Sequence, residues 1–186
     1  MYIEGVVLAA GLSSRFEGYK MSKEIMGQSM IEHTIKTMLV HVNQIYVIVG
    51  HNKDIIENLL KKYECVTCIY NPSYLEGMYT SFKVAARHVK SEKCFFIPGD
   101  LPFVKADTYK NLLMAEGSCR IPSVDHQSGH PILLDKSIVD LMKDSDSLHM
   151  RAFLSNYEKT YVEVDDTGIL KDIDTIEDYN NYTRGL

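Results

Sequence analysis

Three short stretches of this chain are apolar almost throughout, and each runs into a glycine. Residues 3–9 lead through Ala10 into Gly11, residues 45–49 into Gly50, and residues 94–97 through Pro98 into Gly99. Runs of this length without polar alternation fit strands covered on both faces, as in a parallel sheet held between helices. Helical patterns separate them. Ile31, Ile35, Met38 and Val42 share one face, and Ile55, Ile56, Leu59 and Leu60 a second. Met78, Phe82, Ala85 and Val89 make a third, after a further strand over 66–70. The alternation predicts right-handed crossovers and an open three-layer α/β/α sandwich.

The back half is less regular. Strands are expected near 118–123, 130–134 and 160–164, and helices near 105–114, 137–142, 148–155 and 175–182. With 186 residues and no repeat, linker or low-complexity tract, residues 1–186 read as one domain. The net charge of −5 leaves no basic excess for a nucleic-acid backbone, so no nucleic-acid partner is expected. No apolar run approaches the roughly 20 residues that span a bilayer, and the first residues lack a basic lead-in. A cytoplasmic protein without membrane attachment is expected. Cys65 and Cys68 have C-x-x-C spacing but no second pair, so the four cysteines read as buried reduced thiols.

In open parallel sheets, ligands gather at the carboxyl ends of the strands. The loop there, Leu8-Ala9-Ala10-Gly11-Leu12-Ser13-Ser14-Arg15-Phe16-Glu17-Gly18-Tyr19-Lys20, fits neither the dinucleotide nor the P-loop glycine pattern. Its small residues allow close backbone approach, and successive N–H groups can line an anion site. Arg15 adds a planar fork and Lys20 a mobile point charge, a combination suited to a triphosphate. By composition alone, a strand-to-helix connection with two exposed cations accounts for it as well.

The order of these residues is more specific. LAAGLSSRFEGYK resembles L-A-A-G-x-S-x-R-(M/F)-G-x-x-K, the opening signature of the nucleotidyltransferases that include the molybdenum cofactor cytidylyltransferases. Five further segments resemble that family in the family's order. They are MSKEIMGQSMIEH at 21–33, Asn71-Pro72 with Gly77-Met78-x-x-Ser81, the turn Gly99-Asp100-Leu101-Pro102-Phe103-Val104, Gly129-His130-Pro131, and DIDTIEDY at 172–179. Glu17 stands where the family has glycine, and Glu24 and Ile176 where it has proline.

The resemblance implies a Rossmann-like, mostly parallel sheet and a Mg²⁺-dependent transfer of a nucleotidyl group to a phosphorylated acceptor, with release of pyrophosphate. It implies nucleotide binding by Leu8, Ala9, Ala10, Gly11, Ser13, Asn71, Gly77, Met78 and Ser81. Arg15 and Lys20 are the expected catalytic residues, and Asp100 and Asp174 the metal ligands. Each of these has a plainer reading. Asp100 could cap the next helix, Asp174 with Glu177 has capping-box spacing, and Met78 could sit in the core. His130 is a candidate for contact with the acceptor, or simply the start of a strand before proline. Ala9-Ala10 in place of a Gly-Gly pair resembles the cytidylyl-transferring branch, which favours CTP as donor. Molybdopterin, as molybdenum cofactor, is then the leading acceptor, with a molybdenum hydroxylase receiving the product. The alternatives are a sugar-phosphate or choline-phosphate nucleotidylyltransferase, or a non-catalytic nucleotide-binding module.

Overall fold

The computed structural model describes residues 1–12, 16 and 18–185. Its strands are β1 (Glu4–Ala9), β2 (Glu24–Ile25), β3 (Gln28–Ser29), β4 (Gln44–Val49), β5 (Val66–Tyr70), β6 (Lys93–Pro98), β7 (Cys119–Val124), β8 (Gln127–Ser128), β9 (Ile132–Asp135) and β10 (Thr160–Glu163). Its helices are α1 (Met30–Leu39), α2 (Lys53–Leu60), α3 (Met78–Ala86), α4 (Ala106–Met114), α5 (Lys136–Met142), α6 (Met150–Leu154) and α7 (Ile176–Thr183).

The main sheet runs β10-β7-β9-β6-β1-β4-β5, with β8 added on β7. β1 is central and parallel to both neighbours, Leu8 lying between Ile48 and Pro98. That register brings the ends of β1, β4 and β6 out at one level, so Ala10, Gly50 and Gly99 emerge together. The sheet is parallel except for β9, which is antiparallel to β6 and β7, and β8, which is antiparallel to β7. The cause is local. β7 turns straight back into β8 through Asp125 and His126, both at positive φ, as a two-residue hairpin requires. No helix intervenes, so the chain re-enters the sheet in the opposite direction. β2 and β3 form a separate small hairpin.

Side chains of β1 alternate between two cores. Val7 and Ala9 join Ile31, Ile35 and Met38 of α1, Ile56 and Leu60 of α2, and Tyr109 and Leu112 of α4. Val6 and Leu8 join Phe82 and Ala85 of α3, Val139 and Met142 of α5, and Phe153 of α6. Each fully buried aliphatic side chain contributes about 1.5–3 kcal/mol. Met78 does not take the core position that its spacing suggests. It is 65% exposed, and Tyr79, at 5%, is the residue that packs inward. Gly77, at φ +117°, turns the chain just before the helix, so Met78 is its first residue and points to solvent. Ile55 is likewise exposed. Among the described residues no helix is long and apolar enough to cross a membrane.

Candidate active site

The turn after β6 is built on close approach. The Gly99 N–H donates to the Leu8 carbonyl at 3.0 Å, and its own carbonyl accepts from Thr34 Oγ1 at 3.2 Å. A Cβ here would lie 3.1 Å from the sulfur of Met21. Met21 belongs to the 3-10 turn Lys20–Ser22, so the missing side chain lets that turn settle on the end of β6. Lys20 is thereby laid beside Asp100, with Nζ 2.6 Å from Asp100 Oδ2. The Asp100 carbonyl accepts from the Ile173 N–H at 3.0 Å, which draws in the segment before α7. Asp174 Oδ1 then lies 2.9 Å from the same Nζ. A small third core fastens these pieces, as Phe16, Ile25, Met30 and Ile173 pack together, with Tyr179 against Phe16.

Two plainer readings of these aspartates give way to the observed contacts. The α7 capping box is made by Thr175 and Asp178, one position later than Asp174 and Glu177. The carboxylate that serves the start of α4 is Asp166, not Asp100. Asp166 Oδ2 accepts from Lys105 N and Thr108 Oγ1, while its Oδ1 accepts from Gly168 N and closes a turn.

The cluster is sheltered and charged. Burial alone would lower the Lys20 ammonium pKa, but Asp100 and Asp174 together raise it above the ordinary range, so the charge is held firmly. Asp100 Oδ1 is buried and has no hydrogen-bond partner among the described residues. Asp172, whose sequence position alone marks no role, lines the same cleft. Lost hydration, then Asp100 and Asp174, raise its carboxyl pKa. His130 is joined to Pro131 by a cis peptide bond, and its Nδ1 is buried and has no hydrogen-bond partner among the described residues. Lost hydration holds its pKa at about 4, against the opposing pull of Asp172. It is a neutral ring at neutral pH.

Two cavities adjoin at Met78, and one of them is lined by the aspartates of this cluster. A cleft of about 370 Å³ is lined by Asp100, His130, Asp172, Asp174 and Met78. A second, of about 290 Å³, is lined by Ala10, Gly11, Tyr74, Gly77, Met78 and Ser81 among others, with Leu8 at its base. Met78 belongs to both. The structure therefore gathers Leu8, Ala10, Gly11, Gly77, Met78 and Ser81 around one pocket and Asp100, Asp174 and His130 around its neighbour, with Lys20 bonded to both aspartates. Two expected nucleotide contacts are placed differently. Ala9 points into the core beside Val49, because strand alternation sends it away from the pocket. Asn71 is fully buried, with Nδ2 donating to Thr80 and Ser81 and Oδ1 accepting from Ser73 N. It holds the α3 entry in shape and has no surface for a ligand. Ser13, Arg15 and Glu17 lie outside the described residues.

Tyr74 and Asp172 are the additional residues. Tyr74 is signalled only by Gly50, where a Cβ would come 2.6 Å from the Ala10 carbonyl and 2.8 Å from the Tyr74 ring. Cys94 and Cys119 are buried and free, whereas Cys65 and Cys68 are half-buried and unbridged. Among the described residues no set of three or more His, Cys, Asp or Glu forms a ready metal cage.

Known proteins share this fold. The molybdenum cofactor cytidylyltransferase of Escherichia coli K12 is 29% identical over 180 residues, 95% of this chain and 93% of that one. A nucleotidyl transferase from Methanothermobacter superposes with a TM-score of 0.84 at 22% identity, covering 98% of this chain and 96% of the other. A Mycobacterium tuberculosis H37Rv protein, Rv0371C, in complex with manganese, superposes at 0.81 with 16% identity over the whole of both chains. The model of the MobA-like NTP transferase domain matches residues 5–160, from the first strand into the last of the sheet. With its lysine and aspartates gathered at the carboxyl end of that sheet, this chain belongs to the MobA-like NTP transferase domain family and is a nucleotidyltransferase.

Proposed function

We propose that residues 1–186 act as one domain that transfers a cytidylyl group from CTP to a phosphorylated small molecule, molybdopterin in its cofactor form first among them. The observation that carries this reading is the contact of Lys20 with both Asp100 and Asp174, which line one of two cavities that share Met78. One cavity suits the nucleoside of the donor and the other the phosphate of the acceptor. The name of the Escherichia coli relative supports both the cytidylyl group and the acceptor.

In the reaction an acceptor phosphate oxygen attacks the α-phosphorus, the bond to the β-phosphate oxygen breaks, and pyrophosphate leaves. The protein's work is alignment and charge neutralisation. Arg15, Ser13 and the backbone of Ala10 and Gly11 hold the triphosphate tail. Gly77, Met78 and Ser81 hold the nucleoside. Lys20 bridges the α-phosphate and the incoming phosphate as charge builds between them. His130, uncharged, is an acceptor-side contact.

Asp100 and Asp174 fit a divalent cation, because the orphaned Oδ1 of Asp100 is a hard oxygen in need of a partner. Mg²⁺ is the proposed ion, and the manganese complex of the mycobacterial neighbour supports a divalent metal. When bound, it supplies Lewis-acid polarisation of the phosphoryl oxygens. The test is thermal-shift screening of CTP, GTP, ATP and UTP with Mg²⁺, followed by pyrophosphate release over pterin, sugar-phosphate and choline-phosphate acceptors. CTP with the pterin should give the signal. Turnover with a sugar phosphate or choline phosphate alone would replace the acceptor, and binding of CTP without turnover on any acceptor would leave only a nucleotide-binding module.

A further inference from the structure

The Lys20 ammonium lies on the very carboxylates proposed as metal ligands, 2.6 Å from Asp100 and 2.9 Å from Asp174. Its side chain is 9% exposed and that of Asp100 14%, so water screens them little. A divalent cation entering on Asp100 Oδ1 would add two positive charges a few ångströms from a third. Like charges that close in a sheltered site repel strongly. The repulsion is relieved when the ammonium moves to another anion. Lys20 belongs to the turn Lys20–Ser22, which follows the loop after β1 proposed to hold the triphosphate.

We infer that Lys20 is a resident counter-cation that competes with the divalent metal for Asp100 and Asp174, so that metal binds tightly only when a nucleotide phosphate draws the ammonium away. The inference rests on the proposed metal role of the two aspartates. It gives Lys20 a task before the chemical step, keeping the carboxylates paired until a phosphate arrives. By thermodynamic reciprocity the nucleotide must tighten metal binding by the same factor as the metal tightens nucleotide binding, and couplings of this kind run to about 5–150-fold.

The test is binding of Mn²⁺ to the full chain, read from the electron paramagnetic resonance of the free ion, with and without a non-hydrolysable CTP analogue. The analogue alone serves as the reference for its own Mn²⁺ affinity. Without nucleotide, Lys20→Met should bind Mn²⁺ about tenfold or more tightly than the natural chain, whereas Lys20→Arg, which keeps the charge, should bind as weakly as the natural chain. Lys20→Met should also melt at a lower temperature in metal-free buffer and regain that loss on adding Mn²⁺, which shows that it is folded and that the ion replaces the missing charge. Equal Mn²⁺ affinity in Lys20→Met and the natural chain overturns the competition. If in that case Asp100→Asn still abolishes Mn²⁺ binding with the analogue present, the metal site survives and only the competition falls. If Asp100→Asn leaves Mn²⁺ binding unchanged, the metal assignment itself is overturned.

Discussion

The ammonium of Lys20 and the carboxylate of Asp100 stand 80 positions apart in the chain and 2.6 Å apart in space. A glycine eases their meeting. Gly99 has no side chain to hold off Met21, so the turn that carries Lys20 packs on the strand that ends at Asp100. The same Asp100 residue, through its carbonyl, receives the segment that presents Asp174. One turn thus organises three charged groups drawn from the start, middle and end of the sequence.

If Lys20 and Asp100 stabilise charge at the α-phosphate, Lys20→Ala and Asp100→Ala should each lower kcat by roughly 10²–10³-fold, the scale of losing one electrostatic stabiliser. Steady-state pyrophosphate release checks this. Losses of tenfold or less in both variants would remove them from the chemical step.

Gly50 keeps the first loop and Tyr74 close together, with the Ala10 carbonyl 2.6 Å from where a Cβ would sit. Gly50→Ala must push one of them away, a strain of about 1–3 kcal/mol. Because Ala10 and Tyr74 both line the pocket proposed for the nucleoside, KM for the nucleotide should rise more than kcat falls. An unchanged KM would mean that this pocket is not the donor site.

The α7 cap fixes the segment in which Asp174 lies. Thr175 Oγ1 accepts from Asp178 N at 3.1 Å, and the Asp178 carboxylate accepts from Thr175 N at 2.8 Å. Thr175→Ala should cost about 1 kcal/mol of stability. It should also raise the metal concentration giving half-maximal rate by several-fold while leaving the rate at saturating metal nearly intact. Melting curves and a metal titration separate the two effects.

Glu32, on α1, predicts the response to acid. Burial alone would raise its pKa, but bonds from Lys62, Ser29 and Tyr63 bring it from the ordinary 4.5 down to about 2. A group whose pKa is lowered by folding stabilises the protein above its unfolded value, and that contribution is lost as pH falls toward the folded value. The melting temperature should therefore drop between pH 4.5 and pH 2, with a contribution on the order of 2–3 kcal/mol from this group. Glu32→Gln should melt lower at pH 7 and show a shallower decline over that window. Parallel slopes in the two proteins would assign the acid sensitivity to other carboxylates.

The layering of the fold is legible in the sequence because continuous apolar runs such as 45–49 and 94–97 leave few other ways to be buried. The antiparallel entry of β9 is not legible there. It follows from a two-residue turn at Asp125-His126, and these residues carry no glycine signal for positive φ. Lys20 and Asp100 could be named from motif order, but their contact depends on Met21 meeting Gly99, a tertiary coincidence. Asn71 shows the opposite case. Its place beside Pro72 and Gly77 suggests a ligand contact, whereas its amide is consumed by Thr80, Ser81 and Ser73. Asp172 and Asp174 are alike in sequence, and only the pull of Asp100 on the Ile173 N–H shows how both are turned toward the cleft.

The most direct measurement is a crystal structure of the full chain with a non-hydrolysable CTP analogue and Mn²⁺, using anomalous scattering to locate the ion. An anomalous peak bonded to Asp100 Oδ1 and an Asp174 oxygen is expected, with Lys20 Nζ moved onto the α-phosphate. An ion bound elsewhere, or a nucleotide held with its α-phosphate beyond the reach of Lys20, would contradict it.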